Sequence, residues 1–407
     1  MKKFVKLSLA AAVASTGFVS ANAGALEEAV KNTTIGGYAT YRYDDRTLDN
    51  DGTAGYNNDA TNNHKIVVAL TSKVNDDVSY TYAGAVITSE NATSDGSGVD
   101  YMDGNMHSVY SFFTYTGLDN VTVNIGQQTI DTPQTDTYDD ITGTQEGTGI
   151  TAATSFAGIN VTAGFMNSTN LGDDKFGSFT ASGSTGYATL NDTQKKALNT
   201  EIDNAISSAD LYVVQANTKL GPIAVDANYL KLKDVADSFT VGASTSFALD
   251  NGIKISPYAR YTSFEMDKEV VDTLGVNKDN SLWFVGAKVK AGAISGNVSY
   301  SETDQDGGLV AADNDAVAAN QGWGTVINGI ADAELIKLNV AYALSPKYSI
   351  ALNHNMQEVV DVETDETYGQ LTWKLSKNFS AYTRYGVVEQ ENGDKDQRGR
   401  IHMTYKF

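Results

Sequence analysis

The sequence predicts an all-β fold, a transmembrane antiparallel β-barrel of about 18 strands (roughly 16 to 18) with its third long loop folded inward. Three observations predict it. Segments of about ten residues alternate apolar and polar side chains with period two. Their connections alternate along the chain between very short and long. Past the first two dozen residues, no stretch approaches the roughly 20 consecutive apolar residues that a membrane-spanning helix needs.

At the start, Lys2, Lys3 and Lys6 precede an apolar run from Leu7 to Val19, followed by Ala21-Asn22-Ala23. A basic segment, a short apolar segment and a small-x-small site predict a signal peptide over residues 1–23. That leaves residues 24–407 as one barrel domain, and losing three Lys and no carboxylate moves the net charge from −21 to −24. Fifty acidic against 29 basic side chains argue against nucleic acid as a partner, since phosphate binding needs a basic footprint. The chain has no Cys, which excludes disulfide scaffolds, thiolate metal sites and Cys nucleophiles.

The strand pattern opens with Ile35, Gly37, Ala39, Tyr41 and Tyr43 on one face and Thr40, Arg42 and Asp44 on the other. Phe239, Val241, Ala243, Thr245, Phe247 and Leu249 alternate with Thr240, Gly242, Ser244 and Ser246. Ile336, Leu338, Val340, Tyr342 and Leu344 oppose Lys337 and Asn339. The C-terminus sets Ile401, Met403, Tyr405 and Phe407 against Arg400, His402, Thr404 and Lys406. Short connections fall at Asn75-Asp76-Asp77, Gly117 to Asn120, Gly158-Ile159, Gly221-Pro222, Asp250-Asn251-Gly252, Ala291-Gly292, Ser345-Pro346-Lys347 and Ser376-Lys377-Asn378. Long acidic ones cover 47–62, 90–105, 129–149, 169–209, 265–280, 303–333, 358–366 and 389–397, and one more hairpin turns near Asp234 to Asp237. Outer-membrane barrels sort their connections this way, with tight periplasmic turns and long external loops, and point apolar faces at lipid. Closure also removes the edges that a long antiparallel sheet would expose to aggregation. Tyr43, Tyr80, Tyr229, Tyr261, Tyr300, Tyr348, Trp373, Tyr385, Tyr405 and Phe407 gather near strand ends, as an interfacial aromatic girdle would.

The opening MKKFVKLSLAAAV…SANAGALEEAVKN, then GGYATYRYDD, the stretch NIGQQTIDT (Asn124 to Thr132) and the closing IHMTYKF resemble the Campylobacter-type major outer membrane porin family. Residues 165–365 are similar in pattern rather than in words. The resemblance implies an eighteen-stranded barrel, a homotrimer and passive diffusion of small hydrophilic solutes in the outer membrane of a Gram-negative bacterium. The terminal Phe407 on an alternating strand looks like the signal that outer-membrane assembly machinery reads. Outer-membrane lipid and lipopolysaccharide are the surroundings this implies.

A wide aqueous lumen needs about 16–18 strands, because eight would be filled by side chains. Alternation turns Arg42, Lys65, Arg384 and Arg400 inward, on the first, second, seventeenth and eighteenth strands, which closure makes neighbours. The loop after the fifth strand, Gln127 to Gly149, carries Asp131, Asp136, Asp139, Asp140 and Glu146 and no basic residue. Folded inward, it would set carboxylates across a narrow section from guanidinium groups. Charged rings select ions without binding them tightly, and low-dielectric walls focus the field. With a net negative chain, a weak cation preference is expected. For each lumen Arg a structural salt bridge remains the competing reading, and for the acidic loop a solvated external position does.

Other motifs add little. Glu302, Asp304, Asp306, Gly307 and Asp313 fall at positions 1, 3, 5, 6 and 12 of a calcium-binding loop. The first and last carboxylates are of the wrong type and flanking helices are missing, so a calcium site competes there with a solvated acidic loop. No other cofactor is indicated. His64, His107, His354 and His402 show no paired spacing, and neither a phosphate-binding loop nor a nucleophile elbow is present. Glu27, Glu28 and Lys31 suggest a short helical plug or a trimer contact. The sequence therefore reads as an outer-membrane porin and not an enzyme. The alternative is a barrel-anchored adhesin, for which loops 169–209 and 303–333 are long enough.

Overall fold

The computed structural model describes residues 31–49, 57–92, 99–101, 106–137, 141, 144–171, 206–274 and 277–407. The expected signal peptide, Glu27 and Glu28, Asp139 and Asp140, and most of loop 169–209 lie outside them.

Alternating sequence becomes alternating exposure. The first strands are β1 (Thr33–Asp49), β2 (Asn57–Lys73), β3 (Val78–Ala92), β4 (Val99–Tyr101), β5 (Met106–Leu118), β6 (Val121–Thr129), β7 (Glu146–Phe156) and β8 (Ile159–Thr169). Next come β9 (Leu211–Leu220), β10 (Ile223–Leu232), β11 (Ala236–Ser244), β12 (Phe247–Ala248), β13 (Lys254–Met266), α1 (Lys268–Leu274) and β14 (Asp279–Ala291). The chain closes with β15 (Ile294–Thr303), β16 (Ala333–Ala343), β17 (Tyr348–Val359), β18 (Val362–Trp373), β19 (Phe379–Gln390) and β20 (Lys395–Lys406). All twenty belong to one antiparallel sheet. They form eighteen staves, because β4 and β5 share one neighbour, β3, and β11 and β12 share β13.

The sheet closes where β1 pairs with β20, from Tyr38 opposite Lys406 to Asp49 opposite Lys395. The carboxy-terminal Phe407 locks this seam, exchanging backbone hydrogen bonds with Gly37 at 3.1 and 3.0 Å. A side chain at position 37 would meet the Val67 carbonyl at 2.1 Å and the Phe407 ring at 2.9 Å, so the seam requires glycine there.

Along each stave the inward residues are polar and covered, among them Thr40, Asn228, Thr240, Ser301, Asn355 and Thr404. The outward ones, including Phe239, Val298, Val340, Leu352 and Tyr405, form an exposed apolar band. Such a surface is stable only against lipid. Tyr229, Tyr261, Tyr348, Tyr385, Tyr405 and Phe407 stand outward as the girdle required.

Three expectations about connections are corrected. The acidic stretch 358–366 is no long loop: β17 and β18 run through it and turn at Val360 and Asp361, both at positive φ (48° and 63°). Two successive positive φ values match the twist of a tight hairpin. At 389–397 the strands likewise continue, and the hairpin is closed by Gln390 and Asp394, whose backbones bond at 2.9 Å. In both places charged residues extend paired strands and so read as loop. The third correction is larger: the stretch between β15 and β16, expected outside, folds into the barrel. Val310, Ala311, Ala318, Ala319 and Ile327 are buried against Leu282, Phe284 and Leu335 of the wall.

Candidate functional site: a charged eyelet

Two loops narrow the lumen. The described parts of the loop after β6, residues 130–137, 141 and 144–145, turn inward as expected. Ile130 joins an apolar cluster with Leu211, Leu230, Phe264, Met266 and Leu309. The loop returns on itself, with the Asp136 amide donating to Gln145 Oε1 at 2.6 Å and the Gln145 amide to the Asp136 carbonyl at 3.2 Å. Gln134 Nε2 then reaches β11, donating to Ser238 Oγ and Thr240 Oγ1, both at 3.0 Å. The loop 304–332 meets it: the amides of Ala312 and Ala318 donate to the carbonyls of Gln134 and Pro133, each at 2.8 Å. Within that loop Asn328 acts as a staple, accepting from the Val310 and Ala311 amides at 3.0 and 3.1 Å and donating back to the Ala311 carbonyl at 3.1 Å. Satisfying buried backbone groups in this way lets irregular chain sit inside a barrel.

The far end of the second loop docks on the wall through Glu366, 1% exposed on β18. One of its oxygens accepts from the Trp323 amide (3.0 Å), Thr325 Oγ1 (3.1 Å) and Asn355 Nδ2 (2.6 Å). Gly322 must be glycine, because a Cβ there would lie 2.5 Å from Asn355 Nδ2 and 2.7 Å from that same Glu366 oxygen. The Trp323 ring is thereby placed against the wall, edge-on to Tyr368 at 5.2 Å.

Beside this contact opens a cavity of about 530 Å³. Arg42, Arg384 and Arg400 border it together with Lys337, and Asp136 and Asp315 stand on its loop side. Register explains the basic cluster. Arg384 lies opposite Arg400 on β19 and β20, and Arg42 lies opposite His402 across the seam. Arg400 is ion-paired with Asp44 at 2.5 Å. Arg42 Nε donates to His402 Nδ1 at 3.4 Å, and the His402 ring stacks on Tyr382. Three rings flank the Arg384 guanidinium carbon, Trp323 at 5.1 Å, Tyr368 at 5.4 Å and Tyr382 at 4.6 Å, favourable cation–π distances. Lys337 Nζ donates to Asn320 Oδ1 at 2.8 Å and the Gln321 carbonyl at 2.9 Å. A second cavity, about 520 Å³, lies beyond and shares Asp315, Gln321 and Lys337 with the first. It also carries the Arg260–Asp226 pair at 2.8 Å.

Of the residues expected in the constriction, Arg42, Arg384, Arg400 and Asp136 are brought together. Lys65 is buried on β2, away from this cavity, where its charge acts on Glu146. Glu146 accepts from Gln127 Nε2 at 2.9 Å and Thr144 Oγ1 at 2.7 Å. Asp131 borders a separate cavity of about 260 Å³, and its carbonyl accepts from Gln215 Nε2. The four carboxylates of the calcium pattern are not gathered. Asp313 is buried beside Gln145 in the lumen. Glu302 accepts from the Tyr300 hydroxyl (2.9 Å), and Asp304 closes a turn by accepting from the Asp306 amide (2.9 Å). Among the described residues no three His, Cys, Asp or Glu side chains could hold a metal ion. Lys337, Trp323, Asp315, Tyr368, Tyr382 and Glu366 are site residues that the sequence reading missed.

The family model for the Campylobacter major outer membrane protein matches residues 1–407, the whole chain. No curated protein matches significantly. Among solved structures, Pseudomonas aeruginosa OpdQ aligns at a TM-score of 0.70 and 11% identity, covering 92% of this chain and 99% of its own. Pseudomonas aeruginosa OccK5 (OpdH) gives 0.67 at 13% identity, covering 93% and 98%. A BenF-like porin from Pseudomonas fluorescens Pf-5 gives 0.69 at 13% identity, covering 93% and 99%.

Proposed function

Since the chain belongs to the Campylobacter major outer membrane protein family, a porin family of the outer membrane, we propose that it passes ions and small hydrophilic solutes by passive diffusion with a weak preference for cations. The observation that carries the diffusion reading is the eyelet, a polar, doubly lined opening inside a closed eighteen-stave wall. Its two cavities share lining residues, and Asp136 and Asp315 stand on the loop side of the one bordered by the basic wall. Opposed charges across a low-dielectric channel set up a transverse field. The acidic balance of the chain, −21 in all, favours cations at the mouths, while the basic wall limits the preference. Export through a leader at residues 1–23 and assembly as a homotrimer complete the proposal. No observation favours the adhesin reading, and loop 303–333, on which it partly relied, is spent inside the lumen.

Planar-bilayer recording of refolded protein tests this. Open channels with a small reversal potential of cation sign under a KCl gradient are expected. A silent bilayer would refute the porin reading, and a reversal potential of anion sign would refute the preference.

A further inference from the structure

We infer that the basic wall of the eyelet is a binding subsite for the carboxylate of a small organic solute, an inference that rests on the porin reading and narrows its solute class. The reason is an imbalance of partners. Arg42, Lys337, Arg384 and Arg400 border one cavity of about 530 Å³. Of these four, only Arg400 forms an ion pair among the described residues, with Asp44 at 2.5 Å. The hydrogen bond from Arg42 goes to an imidazole and those from Lys337 to two neutral amide oxygens. Arg384 makes no ion pair among the described residues, and its buried Nε has no hydrogen-bond partner. On the loop side Asp136 and Asp315 also border the cavity, and Asp315 accepts from Gln321 Nε2 at 2.6 Å, but neither forms an ion pair with Arg42 or Arg384 among the described residues.

A guanidinium group offers its donors in a planar fork that matches a carboxylate, and stacking on its faces leaves those edges available. Here the aromatic residues Trp323, Tyr368 and Tyr382 surround Arg384 within 5.4 Å. They hold the group in place without neutralising it. Arg42 and Arg384, with no ion pair among the described residues and confined between low-dielectric walls, attract an anion from the passing stream. The cavity is within the size range of small-ligand sites, about 300–1,000 Å³.

The test is single-channel recording of the full refolded chain in KCl with propionate added, against propionamide, its uncharged isostere. Propionate is expected to produce saturable, concentration-dependent current block, and propionamide none. Arg384→Gln and, independently, Arg42→Gln should weaken the block by about tenfold or more, the order expected for losing a charge-assisted pair. Lys347→Gln, in a short turn at one end of the barrel, should leave it unchanged. Equal effects of propionate and propionamide would overturn the subsite, as would block indifferent to both Arg substitutions. Equal block by nitrate added at the same concentration as propionate would show an unselective anion site and also overturn it. A membrane without open channels would instead defeat the underlying porin reading.

Discussion

At the scale of single residues, the eyelet depends on a carboxylate that lines no part of the solute path. Glu366 is buried on β18 and holds the tip of the inner loop through three donors on one oxygen. Its other oxygen, also buried, has no hydrogen-bond partner among the described residues, and its charge is felt by Lys337. Removing an acceptor strands buried donors at a cost of about 1–3 kcal/mol, more where the lost group is charged. Glu366→Ala should therefore free the loop tip while the barrel stays closed. Hydrogen exchange at the Trp323 amide should accelerate by roughly a hundredfold, with Glu366→Gln intermediate because it keeps an oxygen in place. Unchanged exchange in the Ala variant would mean that Trp323 is held by its ring contacts alone. The sequence concealed Glu366 because it sits between Asp365 and Thr367 in an acidic run. Only the register, Glu366 opposite Asn355, turns it inward.

At the scale of elements, the two inward loops differ in how readable they were. The loop 130–145 announces itself by chemistry: several carboxylates and no cation at a lumen-facing position. The loop 304–332 carries Gly, Ala, Asn and Asp in a mixture typical of solvated loops. Small residues serve a different purpose here, since alanines and glycines let backbone pack against backbone where larger side chains would block the channel. At Gly308, for example, a Cβ would meet the Ile330 carbonyl at 2.0 Å. Its burial is a property of the assembled wall, against Leu282, Phe284 and Leu335, and period counting within the loop could not reveal it. The strands were legible because period two survives along most of the ladder, with register shifts at Ala83/Gly84, Tyr115/Leu118 and Thr148/Gly149. Their ends were not, where charge continues a ladder past the membrane, as at Glu358 opposite Glu363. A deletion tests the loop's role. Thr303 and Ala333 are already bridged, with the Ala333 amide donating to Thr303 Oγ1 at 2.9 Å, so a short turn can replace 304–332. The shortened protein should refold and show a several-fold higher single-channel conductance. Conductance equal to that of the intact chain would place the loop outside the solute path.

At the scale of the whole molecule, everything depends on which side of the wall meets lipid and which meets water, and adjacent residues on one strand separate the two. Val298 and Asn297 are neighbours on β15. Val298 is exposed outward, opposite Ala287 and Leu338. Asn297 borders both eyelet cavities and accepts a hydrogen bond from the Tyr258 hydroxyl at 2.9 Å. Arginine on a lipid face costs about 2–4 kcal/mol near the bilayer midplane and about 0–1 near the interfaces. In the lumen it remains hydrated and chiefly alters the field. Val298→Arg should thus lower the denaturant midpoint of refolding into vesicles while leaving the conductance of the molecules that fold unchanged. Asn297→Arg should do the reverse, lowering cation current and moving the reversal potential toward anions with little loss of stability. Because the two sites share backbone, strand and depth, differences in local folding cancel between them. If both substitutions destabilised equally, or if the electrical change followed Val298, the assignment of faces would be inverted and the charged eyelet would lose its place on the aqueous side.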